Sequence, residues 1–252
     1  MIDIKNLEDL RRQAFVTAIY RKIEKDNIVG VSTDKYESLL RGYGFLPFPI
    51  IGTDSYIFEY FKEVNLCDPL ESTLTYLKTD KCPLLFASKF FIVDDYCKKF
   101  NDKLKKATNK DVVETCDLKA YLDINYKDKF DKYIYESTFL KIKKINSLFD
   151  SLEQKDIKGS LLFKLKFYLS FVENLDQRIS FLEEILPNYK DLKEKRKLIR
   201  ATCPFAVSDL IESKLKADFP YKIEKSNKPL YTYKNCIYQG IEHITYKELE
   251  NG

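Results

Sequence analysis

The sequence predicts an α/β protein, in which parallel-sheet units are joined by a helical region. Three observations carry this. Short apolar runs ending in acids or a cysteine (FFIVDDYC, 90–97, and DVVETCDL, 111–118) flank a charged helical stretch, the texture of a βαβ unit. Four of the seven glycines (Gly30, Gly42, Gly44 and Gly52) fall within 27–52, where tight strand–helix turns are expected. From about 119 to 195 the chain is rich in Lys, Leu, Phe and Tyr. Its two clearest stretches, FLKIKKINSLFDSLE and GSLLFKLKFYLSFVENLDQRISFLEEIL, hold one glycine and no proline.

Taken in order, residues 3–26 carry Leu7, Leu10, Phe15, Ala18, Ile19 and Ile23 at helical spacing and read as one amphipathic helix. NIVGVS (27–32) reads as a short strand, and DKYESLLRGYG (34–44) as a helix closed by glycine. FLPFPIIG (45–52) is extended, and Pro47 and Pro49 place it at a sheet edge or a strand end. The run 90–97 reads as a buried parallel strand whose C-terminal end faces a site, and 111–118 repeats it. RKLIRATCP (196–204) resumes the strand-to-loop texture, FAVSDLIESKLKAD follows as a helix, and PLYTYKNC (229–236) reads as another strand. The expected organisation is therefore an N-terminal helix (1–26), a first α/β domain (27–118), a helical region (119–195) and a second α/β segment (196–252). No fixed-period repeat or low-complexity linker interrupts it.

At 252 residues, 44% hydrophobic and 14% aromatic, the chain has the makings of a substantial core. Lys and Arg exceed Asp and Glu by 43 − 39 = 4, and the signs are interspersed, so no basic face marks a nucleic-acid binder. The charged start MIDIKNLEDLRRQAF lacks a signal-peptide core, and no window reaches the roughly 18 to 20 apolar residues of a membrane span. The expectation is a cytoplasmic protein with reduced thiols, without nucleic-acid or membrane partners.

Six cysteines (Cys67, Cys82, Cys97, Cys116, Cys203 and Cys236) are spread too widely for a compact zinc module or a ferredoxin-type run. Several fall at the ends of expected strands or in the loops beyond them, the edge where distant segments of a parallel sheet meet a ligand. Thiolates gathered there would suit iron–sulfur or zinc; each could equally be a small buried hydrophobe. Asp94 and Asp95 precede Cys97 and are read either as acid/base or hydrogen-bonding groups or, more simply, as solvated acids at a strand end. The single histidine, His243, reads as a surface residue of the tail. The lysine-rich stretches 98–110 and 190–197 read as solvated helix faces. No GxxxxGK[ST] or GxGxxG string supports nucleotide binding.

The flanking residues add a resemblance. NLCDPLESTLTYLKTDKCPLLFASKFFIVDDYCKKF (65–100) resembles the cluster-binding region of the 2-hydroxyacyl-CoA dehydratase / benzoyl-CoA reductase family. There an Asn-Leu-Cys-Pro element, a Thr-Asp-Lys-Cys-Pro element and a strand ending in cysteine follow one another; Cys67, Cys82 and Cys97 fall in those places. VGVSTDKYESLLRGYGFLPFPIIGTD (29–54) is similar to the family's opening βαβ, RKLIRATCPF (196–205) to its Thr-Gly-Cys-Pro strand, and YKNCIYQG (233–240) to a later Glu-Asn-Cys-Thr-Gly element. Thr202 stands where the family has glycine before Cys203, Phe205 and Ala206 replace its following glycines, and Cys116 has no counterpart. The chain also ends at Gly252, before the family's further strands and last cluster cysteine.

The resemblance implies two Rossmann/flavodoxin-like units, the second truncated. It also implies a [4Fe–4S] or double-cubane [8Fe–9S] cluster, with Cys67, Cys82, Cys97, Cys203 and Cys236 as ligands. The partners implied are an ATP-dependent iron–sulfur activator that delivers low-potential electrons and a related subunit in a homo- or hetero-dimer. The implied activity is radical dehydration or reduction of an acyl-CoA or small substrate. Two alternatives stand beside it: a non-catalytic cluster-binding carrier or assembly partner, and a metal-free structural subunit.

Overall fold

The computed structural model describes residues 4–32, 34–50, 57, 59–60, 68–94, 98–193, 197–201 and 221–225. Four parallel strands form the main sheet in the order β2-β1-β3-β4, namely β1 (Ile28–Val31), β2 (Leu46–Pro49), β3 (Phe91–Val93) and β4 (Val112–Glu114). The protein is thus mixed α/β with an all-parallel sheet, as the alternation of apolar runs and charged stretches predicts.

Strand side chains alternate between two apolar layers. Ile28, Leu46, Phe48, Phe91 and Val93 face a core shared with α1 (Glu8–Glu24), α4 (Pro83–Ala87) and α5 (Lys98–Ala107). Val29, Val31, Ile92 and Val113 face the other way, toward α2 (Glu37–Gly42) and α6 (Leu118–Tyr126). The step from β1 to β2 runs through α2 on one face; the step from β3 to β4, in the opposite direction, runs through α5 on the other. That is what a constant crossover hand requires. β2 pairs with β1 alone among the described strands, so Pro47 and Pro49 occupy an edge that tolerates their missing N–H groups.

The helical region is α7 (Lys132–Glu153), α8 (Gly159–Leu169) and α9 (Leu175–Ile185). Asp131 caps α7 by accepting the Ile134 N–H, and its own N–H donates to Gly42 O at 2.7 Å, tying the bundle to α2. Asn174 Oδ1 accepts the Asp176 and Gln177 N–H groups and starts α9, so the helical stretch GSLLF…EEIL is built of two helices. Asn174→Ala should cost about 1 kcal/mol in urea titrations. Two further strands, β5 (Lys197–Ala201) and β6 (Tyr221–Lys225), pair in parallel in a separate sheet.

Several expectations are corrected. Gly30 is not in a turn: it lies inside β1, where a Cβ would come within 2.4 Å of Ile50 Cγ2 and 2.6 Å of Phe91 Cδ1. Gly42 ends α2 where a Cβ would meet Tyr135 of α7 at 2.9 Å; of the described glycines Gly44 alone has the left-handed φ, +79°. On α1 the buried positions are Leu10, Arg11, Ala14 and Ala18, whereas Ile19 and Ile23 of the expected apolar face are exposed. Residues 190–193 form no helix; Lys190 and Leu192 instead bond through their backbone to Asp156 and Gln154. α3 (Asp68–Lys78) and α4 lie within a stretch that had no predicted element. The helix expected after Phe205 and the strand expected at 229–236 lie outside the described residues.

Candidate functional site

In a parallel sheet, ligands bind beyond the strand C-termini where neighbouring strands send the chain in opposite directions. Here that point lies between β1 and β3, whose neighbours in sequence fall on opposite sides of them. The first residues past these strands are Ser32 and Asp94. Ser32 Oγ accepts the Asp94 N–H at 2.9 Å, and Asn101 Nδ2, from α5, donates to Asp94 O at 2.9 Å. The Asp94 side chain is 7% exposed and its Oδ2 lies 3.5 Å from Nζ of Lys35, whose side chain is 56% exposed.

Asp94 is therefore not a solvated strand-end acid, as its place in an acidic pair suggested. Its backbone links the ends of β1 and β3, and its largely buried carboxylate faces the Lys35 ammonium at the C-terminal edge of the sheet. A carboxylate and an ammonium side by side at this edge can hold and orient a polar or charged group. Among the described residues this edge carries no histidine. Ser32 was legible as the polar residue ending an apolar strand; Asn101 was not, because it sits within a helix that reads as a solvated lysine face.

Of the five candidate cluster ligands, Cys67, Cys97, Cys203 and Cys236 lie outside the described residues, as do Asp95 and His243. Cys82 precedes α4 with an extended backbone and is buried in the core cluster that includes Leu84, Leu85 and Phe91. Cys116, one turn beyond β4, is exposed; partial desolvation, and after it the Asp117 and Glu114 carboxylates beside it, hold its thiol pKa above the ordinary value. Neither is in a disulfide. Among the described residues no three His, Cys, Asp or Glu side chains converge as a metal site would need. Thiolate donors as a class suit iron–sulfur. Two of the five, Cys67 and Cys97, directly precede α3 and α5 in sequence, and these two helices pack on one another.

Away from this edge, a groove of about 1120 Å³ between α1 and the α7/α9 pair is polar but self-satisfied. Lys141 pairs with Asp176 at 2.6 Å, Arg41 with Glu37 at 2.7 Å, and Glu173 with Arg21. Beneath it, Glu37 is held between Arg41 and Arg178, and Arg178 also donates to the Val172 and Ser170 carbonyls. This knot joins α2, α9 and the 170–174 loop; it is a structural joint.

No helix among the described residues is long and apolar enough to cross a membrane. No family model matches the chain, and no curated protein matches it.

Proposed function

We propose that the chain is an iron–sulfur protein resembling a 2-hydroxyacyl-CoA dehydratase subunit, working in the reducing cytoplasm. In this reading it accepts low-potential electrons from an ATP-dependent iron–sulfur activator and pairs with a related subunit. The supporting observation is the packing of α3 on α5, the helices that follow Cys67 and Cys97 in the chain. α5 also follows β3, so its first turn belongs to the sheet rim that carries Asp94. A bound cluster would supply one-electron chemistry at potentials no side chain reaches. The chain's own part is to offer thiolates and, at the rim, to present Asp94 and Lys35 to whatever polar group approaches.

Iron and sulfide analysis of anaerobically purified protein tests this. About four or more irons per chain are expected. Cys67→Ser and Cys97→Ser should each lower that content and bleach the visible absorbance; iron-free protein that also resists anaerobic reconstitution refutes the proposal. ATP-dependent reduction by an activator then separates an electron-accepting component from a passive carrier. The apolar surroundings of Cys82 favour a second reading, a metal-free structural subunit, in which all six thiols are packing or surface groups. That reading predicts that Cys82→Ser lowers stability by about 1 to 2 kcal/mol, the cost of a buried hydroxyl, while no substitution changes metal content.

A further inference from the structure

A cavity of about 630 Å³ opens at the N-terminal edge of the main sheet, the edge opposite Ser32 and Asp94. It lies among the ends of α1 and α3, the short α4 and the turn from α5 to β4. Lys22, Lys106 and Lys110 bring positive charge to it, Asp80 brings a carboxylate, and Leu85 and Phe86 form an apolar wall. Lys110 is half-buried, and its Nζ donates to Leu85 O at 3.0 Å and to Phe86 O at 2.7 Å. The same nitrogen lies 5.7 Å from the Phe91 ring centroid. An ammonium has three N–H donors. The third of Lys110 has no partner among the described residues, and neither has the exposed Lys106 ammonium. Phe86 is 55% exposed.

The cavity holds more positive charge than its acids offset. Asp26 takes Lys22 at 2.5 Å and Lys89 at 2.9 Å. Four ammoniums (Lys22, Lys89, Lys106 and Lys110) thus face two carboxylates (Asp26 and Asp80), a surplus of two positive charges. Lys110 registers this surplus. Burial first, and then the Lys22 charge, hold its pKa below the ordinary lysine value against the pull of Asp26 and Asp80. A lysine on an open surface swings its head into water and escapes such repulsion. Lys110 is fixed by two carbonyls and stays.

We infer that this cavity binds a small aromatic phosphate monoester, with its phosphate on Lys106 and Lys110 and its ring against Phe86. Above neutral pH such a phosphate is close to a dianion, which matches the surplus of two. Its oxygens accept the N–H groups left over on the two lysines as charge-assisted hydrogen bonds. Lys110 is already ordered, so the ligand loses little affinity in immobilising it. The exposed Phe86 ring gives the ligand's ring an aromatic contact, stacked or edge-on. Inorganic phosphate meets the charge alone and a phenol the ring alone; only the two joined in one molecule use the whole cavity. The site does not depend on whether the chain holds iron.

The test titrates the full chain with phenyl phosphate, inorganic phosphate and phenol by isothermal calorimetry, in low salt at about pH 8. Phenyl phosphate should bind with a Kd of about 0.1–1 mM, inorganic phosphate about 10-fold more weakly, and phenol without measurable heat. Lys106→Met, which removes an exposed ammonium with no partner to lose, should weaken phenyl phosphate about 5- to 10-fold. Phe86→Ser should bring phenyl phosphate down to the level of inorganic phosphate and leave the latter unchanged. Acetic anhydride labelling read by mass spectrometry locates the ligand: phenyl phosphate should slow labelling at Lys106 and Lys110 and spare the exposed Lys132. Absence of binding, phenyl phosphate no tighter than inorganic phosphate, a Lys106→Met chain that binds as wild type does, or protection that extends equally to Lys132 would each overturn the inference.

Discussion

Arg178→Ala should destabilise the protein by about 3–5 kcal/mol, one of the two largest effects expected of a single substitution. Arg178 and Glu37 are both almost fully buried, with Nη1 2.9 Å from Oε2. Removing the guanidinium strands a carboxylate with Arg41 as its remaining cation and orphans the carbonyls of Val172 and Ser170. Burial works against charge on both partners. At Glu37 it pushes the carboxyl up, but the Arg178 and Arg41 guanidiniums outweigh it and hold the pKa below the ordinary glutamate value. The sign of the pH dependence follows. A carboxyl whose folded pKa is depressed adds stability that is present above the unfolded pKa of about 4.3 and is lost as pH falls through the folded value. Glu37→Gln should therefore differ most from wild type near neutral pH, and the gap should narrow in urea titrations as pH drops below about 4. A gap that stays constant or widens on acidification would contradict this account of Glu37.

Phe91→Ala should cost a similar amount, about 3–5 kcal/mol, read from chemical denaturation midpoints. Phe91 is fully buried on β3, directly opposite Gly30 of β1 in the parallel register, and its ring fills the space that the missing Cβ leaves. Gly30→Ala should cost about 1–3 kcal/mol by forcing Phe91 and Ile50 aside. The two sites share one volume, so their effects should not add. In a Phe91→Ala background the penalty of Gly30→Ala should shrink, leaving the clash with Ile50 as its source.

Much of the sheet was legible because its strands are uniform apolar runs, and the edge place of β2 followed from its prolines. Gly30 was misassigned for a physical reason: a glycine required for close approach looks, in sequence, like one required for a left-handed turn. α1 misled through small residues. Its buried face is built on Ala14 and Ala18, which weigh little in an apolar count, while the larger Ile19 and Ile23 dominate the periodicity and point outward. Asp94 looked like a strand-end acid, and only the pairing of β3 with β1 shows its N–H claimed by Ser32. The joint around Glu37 was illegible, since its members lie at positions 21, 37, 41, 173 and 178 and converge only in space. The cysteine contexts were the opposite case, readable as a resemblance, with Cys82 the single candidate ligand among the described residues.

The joint bears on how the chain comes apart. A boundary drawn near residue 118 by sequence texture is crossed by α2, which touches Tyr135 of α7 through Gly42 and reaches α9 through Glu37 and Arg178. Sheet and bundle should accordingly melt as one cooperative body. A nick within 170–174 should weaken both halves together: severing that loop loosens the carbonyls and the carboxylate that three arginines grip. Limited proteolysis there should yield a clipped but associated species on native gels, and the two pieces should part only when both unfold.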